Sequence, residues 1–339
     1  MGDSIAGRPT REQFRGCIVG QALGDALGFV VEGRPPAFCR RYVDERLGEE
    51  RVRGRGPYPL GQYSDDTQLA RELMQSYVAR GEFAPEDYAK RIAAIFSEGR
   101  IVGWGRTTEE AAVRLAADVP WDEAGTPPPS AGNGSAMRAG PIGLFFYDDQ
   151  ETLVRAAREQ GIITHRDARC SAGAIAIAGA VALALTESPI DRLDFLGRLS
   201  ELVAPVEPPF AEALISLSGW TTLPPGQAVA HISRAGLERR LDEGWSEITP
   251  FVVPSVLWSL YSFLRSPEDY RRTIRTAIAV GGDVDTTAAM AGAISGAHLG
   301  LGAIPRRLAR RLTDQGSWGL HELTELADRC YDIKHRWPV

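Results

Sequence analysis

Residues 16–28 read Gly16-Cys17-Ile18-Val19-Gly20-Gln21-Ala22-Leu23-Gly24-Asp25-Ala26-Leu27-Gly28, with a glycine at every fourth position. Ile18, Val19, Ala22, Leu23, Ala26 and Leu27 recur between them at a spacing near 3.6 rather than 2, which predicts a helix over 12–31. Each glycine costs that helix roughly 1 kcal/mol relative to alanine, so four in register need compensation. Close approach of a neighbouring backbone supplies it, because residues without side chains let two helices come together. A second ridge, Gly292, Gly296 and Gly300, repeats the spacing near the other end of the chain. Tight packing alone accounts for both ridges; the sharper reading is that it also brings the loops beside them together.

The helical period extends outward from this stretch. It predicts further helices over 66–80, 86–98, 107–118, 150–160, 168–186, 191–202, 209–217, 226–234, 253–264, 268–280 and 286–300, joined by short turns. Strand-like alternation is scarce, so the expected fold is all-α. The Gly- and Pro-rich stretches at 54–61, 120–134 and 204–226 are too short to separate two self-contained halves. The expectation is one compact multi-helix domain, 1–339, with its core at about 12–335.

Composition excludes several classes. The 339 residues are 44% hydrophobic, enough for a large core, and carry a net charge of −6, which argues against a general nucleic-acid binder though not against a modified nucleic acid as target. The longest apolar run, Ala172 to Thr186, is short of the roughly 20 residues of a membrane-crossing helix. The first 15 residues contain no apolar signal segment, so a cytoplasmic location is expected. Cys17, Cys39, Cys170 and Cys330 are too scattered for a zinc site or a disulfide framework and read as buried thiols. A monomer is the default expectation.

Two motifs concentrate acid at helix starts: Tyr63-Ser64-Asp65-Asp66-Thr67, after a Gly/Pro-rich loop, and Gly281-Gly282-Asp283-Val284-Asp285-Thr286-Thr287, opening the second glycine-ridged helix. Ser, Asp and Thr there cap free N–H groups and suit the positive end of the helix dipole. Capping needs one such side chain per helix, whereas four carboxylates and up to four hydroxyls crowd these two starts. If the loops converge, the carboxylates repel one another unless a cation neutralises them. All the donors are oxygens, which selects a hard cation such as Mg²⁺, Mn²⁺ or Ca²⁺, with Mg²⁺ or Mn²⁺ favoured, over zinc or copper. The carboxylate count suits two ions about 3.5–4 Å apart sharing a bridging Asp.

Gly132-Asn133-Gly134-Ser135-Ala136-Met137-Arg138 combines a Gly-rich turn, a possible helix start and a cation, which suits a diphosphate. A plain turn after Pro127-Pro128-Pro129 explains it as well. His165, after Thr164, reads on its own as a satisfied core histidine beside a polar stretch.

Taken together in this order, the 16–28 stretch, Ser64-Asp65-Asp66-Thr67, Gly132 to Arg138, Thr164-His165 and Gly282-Asp283-Val284-Asp285-Thr286 resemble the ADP-ribosylglycohydrolase family. That family includes dinitrogenase reductase-activating glycohydrolases and the hydrolases of ADP-ribosyl-arginine and ADP-ribosyl-serine. The resemblance spans most of the chain. It implies that Ser64, Asp65, Asp66, Asp283, Asp285 and Thr286 ligate two Mg²⁺ or Mn²⁺ ions, and that Glu32, Asp65 and Asp66 are the catalytic carboxylates. Glu32 on its own would read as an ordinary solvated helix-end residue. It further implies that Gly103, Gly105, Gly132, Asn133, Gly134, Ser135, Met137, Arg138 and His165 contact ADP-ribose, with Trp104 either stacking adenine or merely packing.

The implied reaction cleaves the bond between the anomeric carbon of ADP-ribose and a modified protein through an oxocarbenium-like transition state. Cations would orient the sugar and acidify a water while Glu32 or a motif Asp moves the proton. Arginine-linked ADP-ribose is the favoured substrate, with serine-linked or other targets open. Two rival readings are a non-catalytic ADP-ribose-binding protein, against which the retention of all six ligand types argues, and a metal-dependent nucleotide phosphohydrolase.

Overall fold

The computed structural model describes residues 8–47, 53–237 and 247–336; the rest of the expected 1–339 domain, including both chain ends, lies outside the described residues. The 16–28 stretch folds as α1 (Arg11–Phe29), capped by a reciprocal Thr10/Gln13 pair, and the second ridge lies on α14 (Val284–Leu299). The two helices run antiparallel in backbone contact. A Cβ built on Gly16 would lie 2.1 Å from Gly296 O, on Gly20 2.4 Å from Gly292 O, on Gly24 2.1 Å from Ala288 O, and on Gly28 2.4 Å from Val284 O. No real side chain fits at such distances. The register sets the C-terminal end of α1 against the first turn of α14, so the acidic start of α14 and the chain leaving α1 toward Glu32 lie side by side.

Between this pair run α2 (Pro36–Tyr42), α3 (Asp65–Arg80), α4 (Pro85–Ser97), α5 (Arg106–Ala116), α6 (Gly140–Phe146), α7 (Gln150–Ile162), α8 (Ala168–Thr186), α9 (Arg192–Val203), α10 (Pro208–Trp220), α11 (Pro225–Ile232), α12 (Val252–Arg265) and α13 (Tyr270–Ala279); α15 (Arg306–Ala309) and α16 (Leu320–His335) follow. There is no sheet among the described residues, only isolated bridges such as Arg34 with Gly282 and Gly132 with Phe251. The predicted helices stand within a few residues of their expected ends. One hydrophobic core draws on residues from Phe14 to Cys330, and all four cysteines are buried free thiols.

Three longer elements depart from the expectation. α2 and α6 are seven residues each, starting at or beside a proline, too short to display a period. α16 does carry one, burying Leu323, Leu326, Ala327 and Cys330, but Gly319 at its N-cap supplies no side-chain cap to mark its start. The apolar run at 172–186 belongs to a longer helix, α8, which by length and composition alone could cross a membrane; 89% of its window is buried inside the fold, against α6, α7, α9, α12 and α14.

Candidate active site

α1 organises the acidic motifs from a second face. Asp25, one turn beyond Gln21, is fully buried and reaches the start of α3. Its Oδ1 accepts the Ser64 N–H at 2.8 Å and its Oδ2 the Thr67 N–H at 3.1 Å and the Thr67 hydroxyl at 2.6 Å. The orphan N–H groups of α3 are therefore capped from another helix, and Ser64, at the N-cap position, makes no capping bond of its own. Ser64 Oγ instead lies 2.9 Å from both Asp25 Oδ1 and Asp66 Oδ2, donating to a carboxylate. Asp283, the N-cap of α14, makes no capping bond either. Capping accounts for Asp285 alone, whose Oδ1 accepts the Thr286 N–H at 3.0 Å, and leaves the other motif side chains unexplained. The expected ligand set does not include Asp25; its one mark along the chain is that it is the only charged residue of the 16–28 stretch.

Asp65 and Asp66 open α3, and Asp283 and Asp285 flank the first turn of α14. Gln21 Nε2 binds the carbonyls of Asp66 at 2.9 Å and Met137 at 3.1 Å, tying α3 to the Gly132–Arg138 segment. Asn133 Nδ2 donates to Ser255 Oγ and to Asp283 Oδ2, which ties that segment to α14. Carboxylate oxygens of Glu32, Asp283 and Asp285 come within 4.8 Å of one another. A cleft of about 310 Å³ is lined by Glu32, Asp65, Asp283, Asp285 and Thr286 together with Gly103 to Thr108, Gly132 to Gly134, Met137, His165 and Pro250. The two motifs do converge.

The electrostatics of this convergence are unfavourable. Burial, followed by the charges of Asp25, Glu32 and Asp283, pushes Asp65 well above the usual carboxylate range. Burial with Asp25, Asp65 and Asp283 does the same to Asp66, and burial with Glu32, Asp283 and Asp66 to Asp285. Burial lifts Asp25 to about 7 and Asp283 to about 6, the latter against the Asn133 hydrogen bond. Asp66 Oδ1 is buried without a hydrogen-bond partner. An orphaned carboxylate oxygen inside a cluster of repelling oxygen donors fits a hard cation and not a structural hydrogen-bond network.

A pH dependence follows. These carboxyls titrate near 4 when unfolded, so between about pH 4 and 7 the folded, cation-free protein holds protons that the unfolded chain has released. Their contribution to stability is complete below about pH 4 and is lost as pH rises through the folded values. Protein treated with a chelator is expected to melt lower at about pH 7.5 than at about pH 5, and Mg²⁺ or Mn²⁺ to restore the difference. A melting temperature that is flat or rising over this range, by differential scanning calorimetry, would contradict the cluster.

The remaining expected contacts divide into two groups. Gly103, at φ +77°, packs on the start of α3, where Asp65 N donates to Val102 O at 2.7 Å. Gly105 borders open space. Trp104 is 46% exposed at the cleft and makes a T-shaped contact with Phe96. Gly132 and Gly134 lie against the His165 ring. Ser135 and Arg138 do not line the cleft. Ser135 Oγ donates to Cys170 O, and Arg138 is fully buried on Gln160 and Thr164. The expected free N–H groups are also fewer than the motif suggests, since those of Asn133, Ala136 and Met137 donate to Pro250 O and Asn133 O. Glu32 is partly exposed and paired with Arg55, which also lies 4.7 Å over the Phe29 ring. Arg55 sits in a loop without periodicity, and nothing in the sequence marked it.

A family model described as ADP-ribosylglycohydrolase matches residues 7–338. An ADP-ribosylhydrolase ARH3 from Gallus gallus is 33% identical over 88% of this chain and 88% of its own length. An ADP-ribosylarginine hydrolase Tri1 from Pseudomonas putida is 24% identical over 95% of this chain and 78% of its own. A solved structure described as an ADP-ribosylglycohydrolase-related protein complex superposes with a TM-score of 0.73 at 28% identity, covering 96% of this chain and 98% of the other.

Proposed function

The chain belongs to the ADP-ribosylglycohydrolase family, and on that premise we propose that the acidic cleft hydrolyses the glycosidic bond between ADP-ribose and a modified target, releasing free ADP-ribose. The observation that carries this reading is the meeting of the two acidic helix starts in a cleft that is also lined by the Gly132–Gly134 turn and His165.

Asp65, Asp66, Asp283, Asp285, Thr286 and Ser64 would hold two Mg²⁺ or Mn²⁺ ions. Ser64 keeps lone pairs for this role because its hydroxyl hydrogen goes to a carboxylate. When bound, such ions neutralise the cluster, orient ribose hydroxyls and acidify water. Of the carboxylates proposed for catalysis, Glu32 has the most solvent access, which supports it as the group that moves a proton between water and the ribosyl bond. Asp65 lines the cleft; Asp66 does not, and its buried, partnerless Oδ1 supports it as a member of the cation cluster. Gly103 and Gly105 leave space for the distal ribose, the 132–134 turn and His165 meet the diphosphate, and Trp104 offers a half-exposed ring to adenine.

Arginine-linked ADP-ribose is the substrate we favour, supported by the named activity of the Pseudomonas putida relative. Chelator-treated protein given arginine-linked and, in parallel, serine-linked substrate is expected to release free ADP-ribose only after Mg²⁺ or Mn²⁺ is added. AMP plus ribose phosphate would point instead to diphosphate cleavage, and tight binding without turnover to a binding protein.

A further inference from the structure

Arg138 is the largest unexplained expense in the interior. It is 0% exposed, makes no ion pair among the described residues, and leaves Nη1 without any hydrogen bond. The Tyr88 ring lies 5.7 Å from the guanidinium, and the charge of Asp65 acts on it from beyond ion-pair distance. A buried cation without a carboxylate partner is costly, and one in this position calls for a compensating role.

Two of its three hydrogen bonds fix it on Gln160, and the third leads through Thr164 to His165. Nε donates to Gln160 Oε1 at 2.9 Å, and Nη2 donates to Gln160 O and Thr164 Oγ1, both at 2.8 Å. The Gln160 amide is oriented by its own donation to Ser135 O at 2.9 Å, so its oxygen must face the arginine. Thr164 Oγ1 lies 2.8 Å from His165 Nδ1. A guanidinium can only donate, so Thr164 receives a hydrogen bond from Arg138 and has its own hydroxyl hydrogen left to give. Among the partners the threonine has here, the acceptor is His165 Nδ1. The ring proton is then on Nε2, which lies against the turn that lines the cleft, 3.3 Å from where a Cβ on Gly132 and 3.2 Å from where one on Gly134 would stand. Burial, followed by the charge of Arg138, also pulls the imidazole down to about 3.

We propose that Arg138 is a positioning residue: through the Thr164 hydroxyl it holds His165 as the Nε2–H tautomer, so that a neutral N–H donor faces the oxygens of bound ADP-ribose. The identity of that ligand rests on the function proposed above; the tautomer does not. The role accounts for a fixed cation beside the Gly132–Gly134 turn that does not itself enter the cleft. It also accounts for the neighbouring glycines: a Cβ on Gly134 would lie 2.7 Å from His165 Cε1, so the turn leaves the ring room in this one placement.

The test is the ¹⁵N spectrum of the full-length protein labelled at histidine, with His165 assigned by its loss in His165→Asn. The wild-type ring is expected to show a protonated Nε2 and an unprotonated Nδ1. Thr164→Ser is expected to keep that pattern, and Thr164→Val to lose it. The dissociation constant for free ADP-ribose, by calorimetry, is expected to rise about tenfold in Thr164→Val, the worth of one hydrogen bond, and to return with Thr164→Ser. A protonated Nδ1 in the wild type overturns the proposal even if Thr164→Val does not fold, and so does a folded Thr164→Val with an unchanged tautomer. A wild type that shows the Nε2–H signal but binds no ADP-ribose supports the positioning role and overturns the functional reading instead.

Discussion

Asp285→Asn is expected to lower cation-dependent release of ADP-ribose by about 10³-fold or more, the several kcal/mol that a ligand of a catalytic cation contributes to the transition state, while leaving the cation-free protein at least as stable as wild type. The two effects have opposite signs, which makes the experiment informative. Asp285 is 3% exposed and opens α14, with its Oδ1 accepting the Thr286 N–H at 3.0 Å, a bond the asparagine oxygen can keep. What the substitution removes is a charge repelled by Glu32, Asp283, Asp66 and Asp25. In the absence of a cation that charge is a liability, so its loss should raise the melting temperature at about pH 7.5. The rise in melting temperature that Mg²⁺ or Mn²⁺ gives the wild type should shrink with it, because stabilisation by a ligand scales with its affinity. Activity within tenfold of wild type, or a variant that melts lower in chelator, would remove Asp285 from the proposed cation site.

Gly28→Ala is the second large effect, and on local grounds it points the other way. Alanine in a helix is worth about 1 kcal/mol over glycine, and Gly197 on α9, whose Cβ would meet nothing within 4 Å, should gain from that substitution. At Gly28 the added Cβ would lie 2.4 Å from Val284 O, 2.5 Å from Asp285 Cα and 2.7 Å from Asp285 N. All three are backbone atoms, so no rotamer relieves the clash. Either α1 lifts from α14 or the first turn of α14 moves with its carboxylates. Overpacking of this kind costs about 1–3 kcal/mol or more, which by calorimetry lowers the melting temperature by several degrees. A displacement of about 1 Å at the catalytic groups is worth about 10² in rate, so Gly28→Ala is expected to lose activity even at temperatures where it is folded. Gly197→Ala, stable and fully active beside it, is the control. If Gly28→Ala instead melts at or above the wild-type temperature, the backbone contact between α1 and α14 is wrong.

Much of this architecture is legible along the chain. Hydrophobic spacing marks most of the helices because burial on one side of a helix repeats with its own turn, a local rule. The every-fourth glycines announce a close neighbour because nothing else offsets their cost. The surplus of carboxylates at two helix starts, all oxygen donors, is legible as a donor set suited to a hard cation, since capping alone could not use them. What spacing does not reveal is which surfaces meet. The pairing of Gly16 with Gly296 and Gly28 with Val284 sets the acidic loops against each other, and it depends on a register between segments more than 250 residues apart. The same register turns Asp25 into the cap of α3. Packing of the 132–138 segment sends Ser135 and Arg138 behind the cleft wall, and a loop contact brings Arg55 to Glu32. The helices, the need for a close pair and the oxygen-donor chemistry follow from local spacing and residue type; which carboxylates share a cleft and which polar groups line it follow from the fold, because a side chain's partner is set by three-dimensional packing and not by the period of its own helix.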